Sequence, residues 1–290
     1  MSNLAPEFGY YLGCPQWTHR PWNESIFPAH TQPRDALLHY THAFNTVEGN
    51  TTFYATPSEA TIERWANDTP LNFRFVFKPP QDITHTLLLK GDAVERTIRF
   101  LNHIEPLGSR VGPLLIQLPA HFSIAYMKTL YEYLRQLPRP RDYVVEVRAI
   151  EFFEEPVMSE LNDLLSSLAI ERAWMDTRPL RHEDAPLTED VLSARQRKPN
   201  MPVYPIGLGP HPMIRYVSHP QLNANEPWLQ AWANVFATWI KEGRKPYFFA
   251  HYPGETLAPQ IADRFHTLLS EKITLPTRPI WPSELQPSLF

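Results

Sequence analysis

Short apolar segments alternate along the chain with longer segments in which apolar residues recur every three or four positions. The short segments are rich in β-branched and aromatic residues, which favours strands, whereas the longer spacing favours amphipathic helices. The predicted strands span residues 10–13, 46–50, 73–78, 114–118, 143–147, 172–175, 214–217 and 247–250. The predicted helices span residues 33–44, 58–67, 93–104, 125–136, 156–168, 228–242 and 259–271. Ser58, directly before Glu59, predicts an N-cap for the second helix.

Strands that alternate with helices are typical of parallel βαβ units, and eight such units predict a closed barrel. We therefore predict an α/β fold: a single (β/α)8 TIM-type barrel domain over residues 1–290, with a long Pro-rich insertion after strand six. Periodicity does not report closure, so an open doubly wound sheet is the alternative. The chain contains neither a Gly-x-Gly-x-x-Gly sequence nor a phosphate-binding loop, which favours the barrel.

The insertion, residues 178–212, is polar and rich in proline and charged residues. Long loops inside compact domains are uncommon and often carry function. A solvated surface insertion explains the composition equally well. Both interpretations stay open at the level of sequence.

Composition and charge exclude several classes of protein. Hydrophobic residues make up 43% and charged residues 20% of the chain, as in ordinary globular proteins. A net charge of −4 provides no general attraction for nucleic acid or an anionic membrane. Cys14 is the single cysteine, the N-terminus lacks a signal-peptide pattern, and no apolar run approaches the ~18 residues of a membrane span. We expect a cytoplasmic protein, monomeric or weakly homo-oligomeric, without nucleic-acid or membrane partners.

Ionisable or amide side chains stand at the ends of seven successive predicted strands. Parallel strands that close a barrel bring their carboxyl ends together, where active sites form. Buried charges cost several kcal/mol each unless they pair or bind a ligand, so this regularity predicts one pocket. The structural alternative is that Glu48–Lys78 and Glu146–Arg148 are ion pairs that only close the barrel top.

The first functional hypothesis is an acid–base hydrolase, lyase or isomerase that acts on a small anionic metabolite. Two carboxylates in different environments can have pKa values pushed apart, and arginine binds carboxylate or phosphate through two parallel hydrogen bonds. The predicted catalytic residues are Glu48, Lys78 and Glu146. The predicted substrate-binding residues are Asn50, His85, Gln117, Arg148, Asp176, Arg215, His251, Trp17 and Tyr54.

Three alternatives belong to other classes. A divalent metal could support a hydrolase or isomerase, because the strand ends also supply ligand types: Glu48, Glu146, Asp176, His219 and His251. The neighbouring cations and the lack of a short ligand motif disfavour it, and we expect no cofactor. Lys78 could instead form an imine with a carbonyl substrate. A non-catalytic protein could instead bind a ligand between aromatic residues that follow the strand ends, such as Trp17 and Tyr54.

The same segments carry a resemblance to a known family. Residues 13–17 read Gly-Cys-Pro-Gln-Trp, residues 44–54 read Phe-Asn-Thr-Val-Glu-Gly-Asn-Thr-Thr-Phe-Tyr, and residues 73–80 read Phe-Arg-Phe-Val-Phe-Lys-Pro-Pro. With Gln-Leu-Pro at 117–119 and Glu-Val-Arg at 146–148, the order resembles the YecE-like family, domain of unknown function 72. The resemblance implies a TIM-type barrel and no particular reaction.

The last third of the chain departs from that family pattern. Residues 214–220 read Ile-Arg-Tyr-Val-Ser-His-Pro in place of an Arg-x-His-Gly-like element. Ala250 stands where the family usually has asparagine on strand eight. If that asparagine contacts a ligand in relatives, its replacement predicts a variant ligand or a lost activity.

Overall fold

The computed structural model describes residues 4–285 and contains every predicted strand within one residue of its expected bounds. The strands are β1 (Tyr11–Gly13), β2 (Thr46–Gly49), β3 (Arg74–Phe77), β4 (Leu114–Gln117), β5 (Tyr143–Glu146), β6 (Glu171–Asp176), β7 (Met213–Val217) and β8 (Tyr247–His251). The β-branched and aromatic segments of the sequence therefore form the strands that their composition predicts.

The predicted helices are present as well. The helices are α1 (Ala36–Ala43), α2 (Thr51–Tyr54), α3 (Glu59–Asp68), α4 (Ala93–Ile104), α5 (Met127–Leu134), α6 (Val157–Ser167), α7 (Glu189–Arg197), α8 (Glu226–Lys241), α9 (Ala258–Ser270) and α10 (Pro282–Leu285). The Ser58 side chain caps α3 by accepting a hydrogen bond from the Thr61 N–H, as predicted. The short helices α2 and α10, and α7 within the 178–212 segment, were not predicted.

The predicted closed eight-stranded barrel is wrong. All pairings are parallel, but they form two separate sheets: a six-stranded sheet in the order β1-β8-β7-β6-β5-β4 and the pair β2-β3. The β2-β3 pair lies beside β1 at one edge and beside β4 at the other. At the β4 side, one backbone hydrogen bond from Gly112 to the Phe75 carbonyl (2.8 Å) precedes the strand. The architecture is an open α/β half-barrel with a detached strand pair.

At the junction between β1 and β2, side chains form hydrogen bonds with backbone groups of both segments. This explains why no regular backbone hydrogen-bond ladder joins the two strands there. The Asn45 amide oxygen accepts from the Leu12 N–H (2.8 Å). The Tyr40 hydroxyl accepts from the Cys14 N–H (2.7 Å) and donates to the Thr46 carbonyl (3.0 Å). A backbone N–H that is bound by a side chain cannot also donate across the junction, where one backbone hydrogen bond runs from the Glu48 N–H to the Cys14 carbonyl (3.1 Å).

The inner face of the sheets carries an apolar layer with a polar layer above it. Residues two apart along a strand point to the same side. The apolar layer is a packed cluster of Val76, Leu115, Val144, Ala173, Met213, Tyr247 and Phe249. Two positions further along six of the strands stand Lys78, Gln117, Glu146, Met175, Arg215 and His251. This second layer, polar except for Met175, therefore lies above the apolar layer, toward the carboxyl ends of the strands.

The main hydrophobic core lies on the outer face, between the sheets and the helices. Phe248 of β8 stacks on Phe265 of α9 with ring centroids 3.8 Å apart, and Phe236 of α8 packs against both rings.

Within residues 4–285, no helix combines the length and apolar character needed to cross a membrane.

Gly13→Ala should destabilise the protein, because β1 and β2 approach each other closely at this glycine. A Cβ atom on Gly13 would lie 2.0 Å from the backbone carbonyl oxygen of Thr46, so the strands would have to move apart. We expect a loss of roughly 1–3 kcal/mol or more in the free energy of unfolding, measured by urea denaturation. Gly209→Ala is the control, because its Cβ meets the nearest atom at 3.5 Å. Equal stability of the two variants would contradict the close approach.

Candidate functional site

A cavity of about 520 Å³ opens at the carboxyl ends of the strands. Its size falls in the range of small-molecule sites. Polar and charged side chains from the ends of β2, β3, β4, β7 and β8 line it, together with Arg148 after β5 and Met175 of β6. The loop after β1 and the α7 end complete the wall with Trp17, Arg197 and Lys198. The polar layer of the inner face therefore forms the floor of one pocket.

Arg215 is the centre of this floor. Its Nε donates to Glu48 Oε2 (2.8 Å) and its Nη2 to Glu48 Oε1 (2.5 Å), a bidentate pair. Its Nη1 donates to Glu146 Oε2 (2.5 Å). All three side chains are at most 4% exposed. One guanidinium thus neutralises parts of two buried carboxylates.

The remaining carboxylate contacts come from three other side chains. Arg148 Nε donates to Glu146 Oε1 (2.7 Å). His251 Nε2 lies 3.2 Å from Glu48 Oε2, and Lys78 Nζ lies 3.5 Å from Glu48 Oε1. Each carboxylate oxygen therefore has at least one nitrogen partner.

The pKa values of both glutamates follow from these contacts. Burial alone would raise the pKa of Glu146, but Arg215 and Arg148 outweigh it and lower that pKa to about 2. Burial opposes the ionised form of Glu48 too, yet Arg215, Lys78 and His251 hold its pKa well below the usual range. Both groups stay ionised at neutral pH and are poorly suited to exchange protons there.

Lys78 has a different environment. Its Nζ donates to the neutral amide oxygen of Gln117 (2.8 Å) and lies 5.7 Å from the centre of the Phe53 ring. Burial, followed by the charge of Arg215, lowers the pKa of Lys78 to about 7 despite the nearby Glu48. Lys78 can therefore gain and lose a proton near neutral pH.

A second lysine reaches the cavity from the 178–212 segment. Lys198 Nζ lies 2.8 Å from His251 Nδ1. A charged ammonium can only donate, so Nδ1 accepts and Nε2 carries the hydrogen that points to Glu48. Glu255 Oε1 lies 3.9 Å from Lys198 Nζ. Burial lowers the pKa of Lys198 to about 8, although Glu255 opposes the shift.

Most of the predicted site residues meet at this cavity. Glu146 lies directly beneath it, bound to two lining arginines. The predicted residues that line the cavity are Trp17, Glu48, Asn50, Tyr54, Lys78, Gln117, Arg148, Arg215 and His251. The strand-end pattern of the sequence therefore predicted one contiguous site.

Asp176 and His85 lie outside the lining. Asp176 binds the Arg178 guanidinium and accepts from Trp232 Nε1 (2.8 Å), because alternation on β6 turns Met175 inward and Asp176 outward. His85 stands in the turn after β3, where its ring lies 5.0 Å from the Phe53 ring. Burial and the charge of Arg148 lower the pKa of His85 to about 4.

Ala250 also lies outside the cavity. It belongs to the outer core together with Phe248, while Phe249 and His251 point inward. The departure from the family pattern at this position therefore changes the outer packing and does not replace a cavity-lining group.

The sequence interpretation did not identify several groups of the site. The most important are Arg197 and Lys198 at the end of α7 and Glu255 in the loop after β8. The 178–212 segment supplies two cations to the cavity wall, so it is not only a solvated insertion. The sequence offered a clue to Glu255, because it stands only four residues after His251, a residue that the sequence analysis had placed in the site. Nothing in the periodicity marked Lys198, because a loop approaches its site only through tertiary contacts.

The metal-dependent alternative finds no ligand set in the described part of the chain. Among residues 4–285, no three histidine, cysteine, aspartate or glutamate side chains gather in an arrangement that could hold a metal ion. His219, a predicted ligand type, accepts from the Gln221 N–H through Nδ1 and contacts Asp184 through Nε2.

The fold and cavity define an α/β half-barrel protein with a charged pocket at its strand ends. Residues 11–285 match the family described as "Protein of unknown function DUF72", so the chain belongs to the DUF72 family. It is 34% identical to the UPF0759 protein YecE of Escherichia coli K12 over 268 residues, 92% of this chain and 94% of that protein. These matches confirm the resemblance seen in the sequence motifs.

Solved structures of other family members share the fold. A DUF72 family protein from Thermotoga maritima superimposes with a TM-score of 0.69 at 22% identity, over 90% of this chain and 99% of that one. A DUF72 family protein from Enterococcus faecalis gives a TM-score of 0.64 at 12% identity, over 92% and 96% of the two chains. At these identities the likeness concerns the fold alone.

Arg215→Gln should destabilise the protein strongly, because it leaves two buried carboxylates without their shared partner. We expect a loss of roughly 3–5 kcal/mol in the free energy of unfolding near pH 7, measured by urea denaturation. Arg99→Gln is the control: its side chain is 67% exposed, so its loss should stay within about 0.5 kcal/mol. Similar losses in both variants would contradict the role of Arg215.

The pH dependence of stability should differ between the wild type and Arg215→Gln. In the wild type the folded pKa values of both glutamates lie below the unfolded ones, so their contribution is complete above the ordinary value of ~4.3 and is lost as the pH falls through the lowered values, about 2 for Glu146. In the variant, burial without the guanidinium favours the protonated forms, so stability should rise as the pH is lowered from neutral toward 5. A variant that parallels the wild type over that range would contradict this explanation.

Proposed function

We propose that the protein binds a small anionic metabolite in the strand-end cavity and transforms it by proton transfer. The observation that carries the proposal is an excess of positive charge over the carboxylates that could neutralise it. Five basic side chains line the cavity, and the four other than Lys78 still outnumber the three carboxylates of Glu48, Glu146 and Glu255. Arg215 already occupies two of those three.

Arg148 is the best-placed anion ligand. Its Nε is held by Glu146, which orients the guanidinium, and its side chain is 17% exposed. Among residues 4–285, no acceptor binds its two terminal nitrogens. A guanidinium whose two Nη groups are both available matches the spacing of two oxygens in a carboxylate or phosphate.

Lys198, which also lines the cavity, supports the same role. Its side chain is 14% exposed, and its hydrogen bond to His251 uses one of three ammonium hydrogens. Arg197 adds an exposed cation beside it at the cavity mouth. Trp17 and the 75% exposed Tyr54 provide aromatic surface on the rim for an uncharged part of the ligand.

The proton-transfer groups in this proposal are lysines. The pKa values of Lys78 and Lys198, about 7 and about 8, allow both to exchange protons near neutral pH. The carboxyls of Glu48 and Glu146 remain ionised and serve to hold Arg215 in place. This division of roles favours an isomerase or lyase, in which a base removes a proton and an acid returns it.

Binding of anions tests the proposal through ligand-induced stabilisation. We expect inorganic phosphate, citrate and 3-phosphoglycerate to raise the melting temperature, whereas neutral glycerol at the same concentration should not match them. Arg148→Gln should weaken anion binding about 10- to 100-fold, the loss of a hydrogen bond from a charged donor. Isothermal titration calorimetry gives the dissociation constants.

Arg99→Gln is the matched control, since it removes the same charge from an exposed helix position outside the cavity lining. Its dissociation constants should equal those of the wild type. No stabilisation by any of the three anions, or equal binding by Arg148→Gln and Arg99→Gln, would contradict an anion site at Arg148.

A further inference from the structure

We propose that Lys78 is a nucleophile that forms an imine with the carbonyl group of the anionic ligand, which makes the substrate class a small oxo acid or other anionic carbonyl compound. The inference rests on the proposed anion site and assigns the ligand a second functional group. Its basis is the position of the Lys78 amine at the floor of the cavity and the hydrogen bonds of the groups around it.

The carboxylates near Lys78 are committed to arginines. Glu48 Oε1 accepts from Arg215 at 2.5 Å, whereas Lys78 Nζ stays 3.5 Å away from the same oxygen. Glu146 accepts from Arg215 and Arg148 at 2.5 and 2.7 Å. Because the guanidiniums already neutralise both carboxylates, Lys78 gains little from keeping its own charge.

Within residues 4–285, the one hydrogen bond of the Lys78 side chain goes to a neutral group. Its Nζ donates to Gln117 Oε1 at 2.8 Å, and an uncharged amine still has a hydrogen with which to donate this bond. The nitrogen lone pair then remains free for attack. Gln117 acts as a positioning residue, since it fixes the amine without adding negative charge.

Lys198 is less suited to this role. Its Nζ lies near Glu255, a carboxylate for which residues 4–285 provide no arginine partner, and it is hydrogen-bonded to His251. Lys198 and Arg148 therefore hold the anionic end of the ligand, and Lys78 reaches its carbonyl carbon.

The step balances without any oxidant or reductant. The Nζ lone pair adds to the carbonyl carbon, and the C–O π electrons move to the oxygen. The nitrogen then loses both hydrogens, which leave with that oxygen as water, so that a C=N bond replaces the C=O bond. When protonated, the imine withdraws electrons from the adjacent carbon, which is the activation that an acid–base lyase or isomerase requires.

Reductive trapping with glyoxylate, a small anionic aldehyde, tests the inference on the intact protein. Glyoxylate and cyanoborohydride are added near pH 7, and tryptic peptides report the rate at which each of the seven lysines is carboxymethylated. Lys78, with a pKa of about 7, is about half neutral there. An ordinary lysine at ~10.4 is neutral in roughly one molecule in 2,500, so we expect Lys78 to react at least about tenfold faster than the exposed Lys128.

Gln117→Glu provides a variant of almost the same shape that tests the positioning residue. A carboxylate at this place should favour the ammonium form of Lys78, move the pH profile of its labelling upward, and slow the reaction near pH 7. Lys78→Arg should lose the label. An unchanged pH profile in Gln117→Glu would contradict the role of the neutral amide.

The outcomes separate this inference from the proposed anion site. If anions bind but Lys78 reacts no faster than Lys128, or if Lys198 reacts first, the imine assignment is overturned. If Lys78 reacts fast, yet its rate rises linearly with glyoxylate concentration and is unaffected by Arg148→Gln, the reactive amine stands and the anion site fails. Saturation that requires a higher glyoxylate concentration in Arg148→Gln supports both.

Discussion

The sharing of Arg215 between two carboxylates is the interaction on which the site and the sheets depend. Glu48 belongs to the separate β2-β3 pair, whereas Glu146 and Arg215 belong to the six-stranded sheet. One guanidinium therefore connects two sheets that no regular hydrogen-bond ladder joins. Burial of these ions would cost several kcal/mol each if they were unpaired, so their mutual geometry is fixed within narrow limits.

This constraint determines which groups remain available for chemistry. Glu48 and Glu146 neutralise Arg215 and keep low pKa values, so they are structural anions at neutral pH. Lys78 lies 3.5 Å from Glu48 Oε1, an oxygen that Arg215 binds more closely, and it hydrogen-bonds to the neutral Gln117. Because of this charge balance, the groups that can exchange protons near neutral pH are the lysines, and not the glutamates that the sequence analysis proposed for acid–base chemistry.

The cavity wall adds a second level of organisation. The 178–212 segment folds into α7, and hydrogen bonds from Arg181 to the Arg195 and Lys198 carbonyls hold its end in place. That end delivers Lys198 to His251, which in turn contacts Glu48. A chain of contacts therefore runs from a surface segment to the buried ion pairs.

The sequence by itself determined the strands, the longer helices other than α7, and the composition of the polar layer. Residues two apart on a strand share a side, so local geometry alone places Val76 and Lys78, or Met213 and Arg215, on one face. The same rule could have turned Asp176 outward, since Met175 beside it points inward. Family motifs at Glu48, Lys78 and Glu146 agreed with that layer.

Only the tertiary structure decided that the barrel stays open and which cation pairs with which carboxylate. The junction of β1 and β2 stays open because Asn45 and Tyr40 occupy backbone groups there, a competition that periodicity does not record. Lys198 meets His251 across 53 positions of sequence. Which side chains of the site have lowered pKa values depends on distances between groups on different strands. Such distances exist only once the strands are assembled.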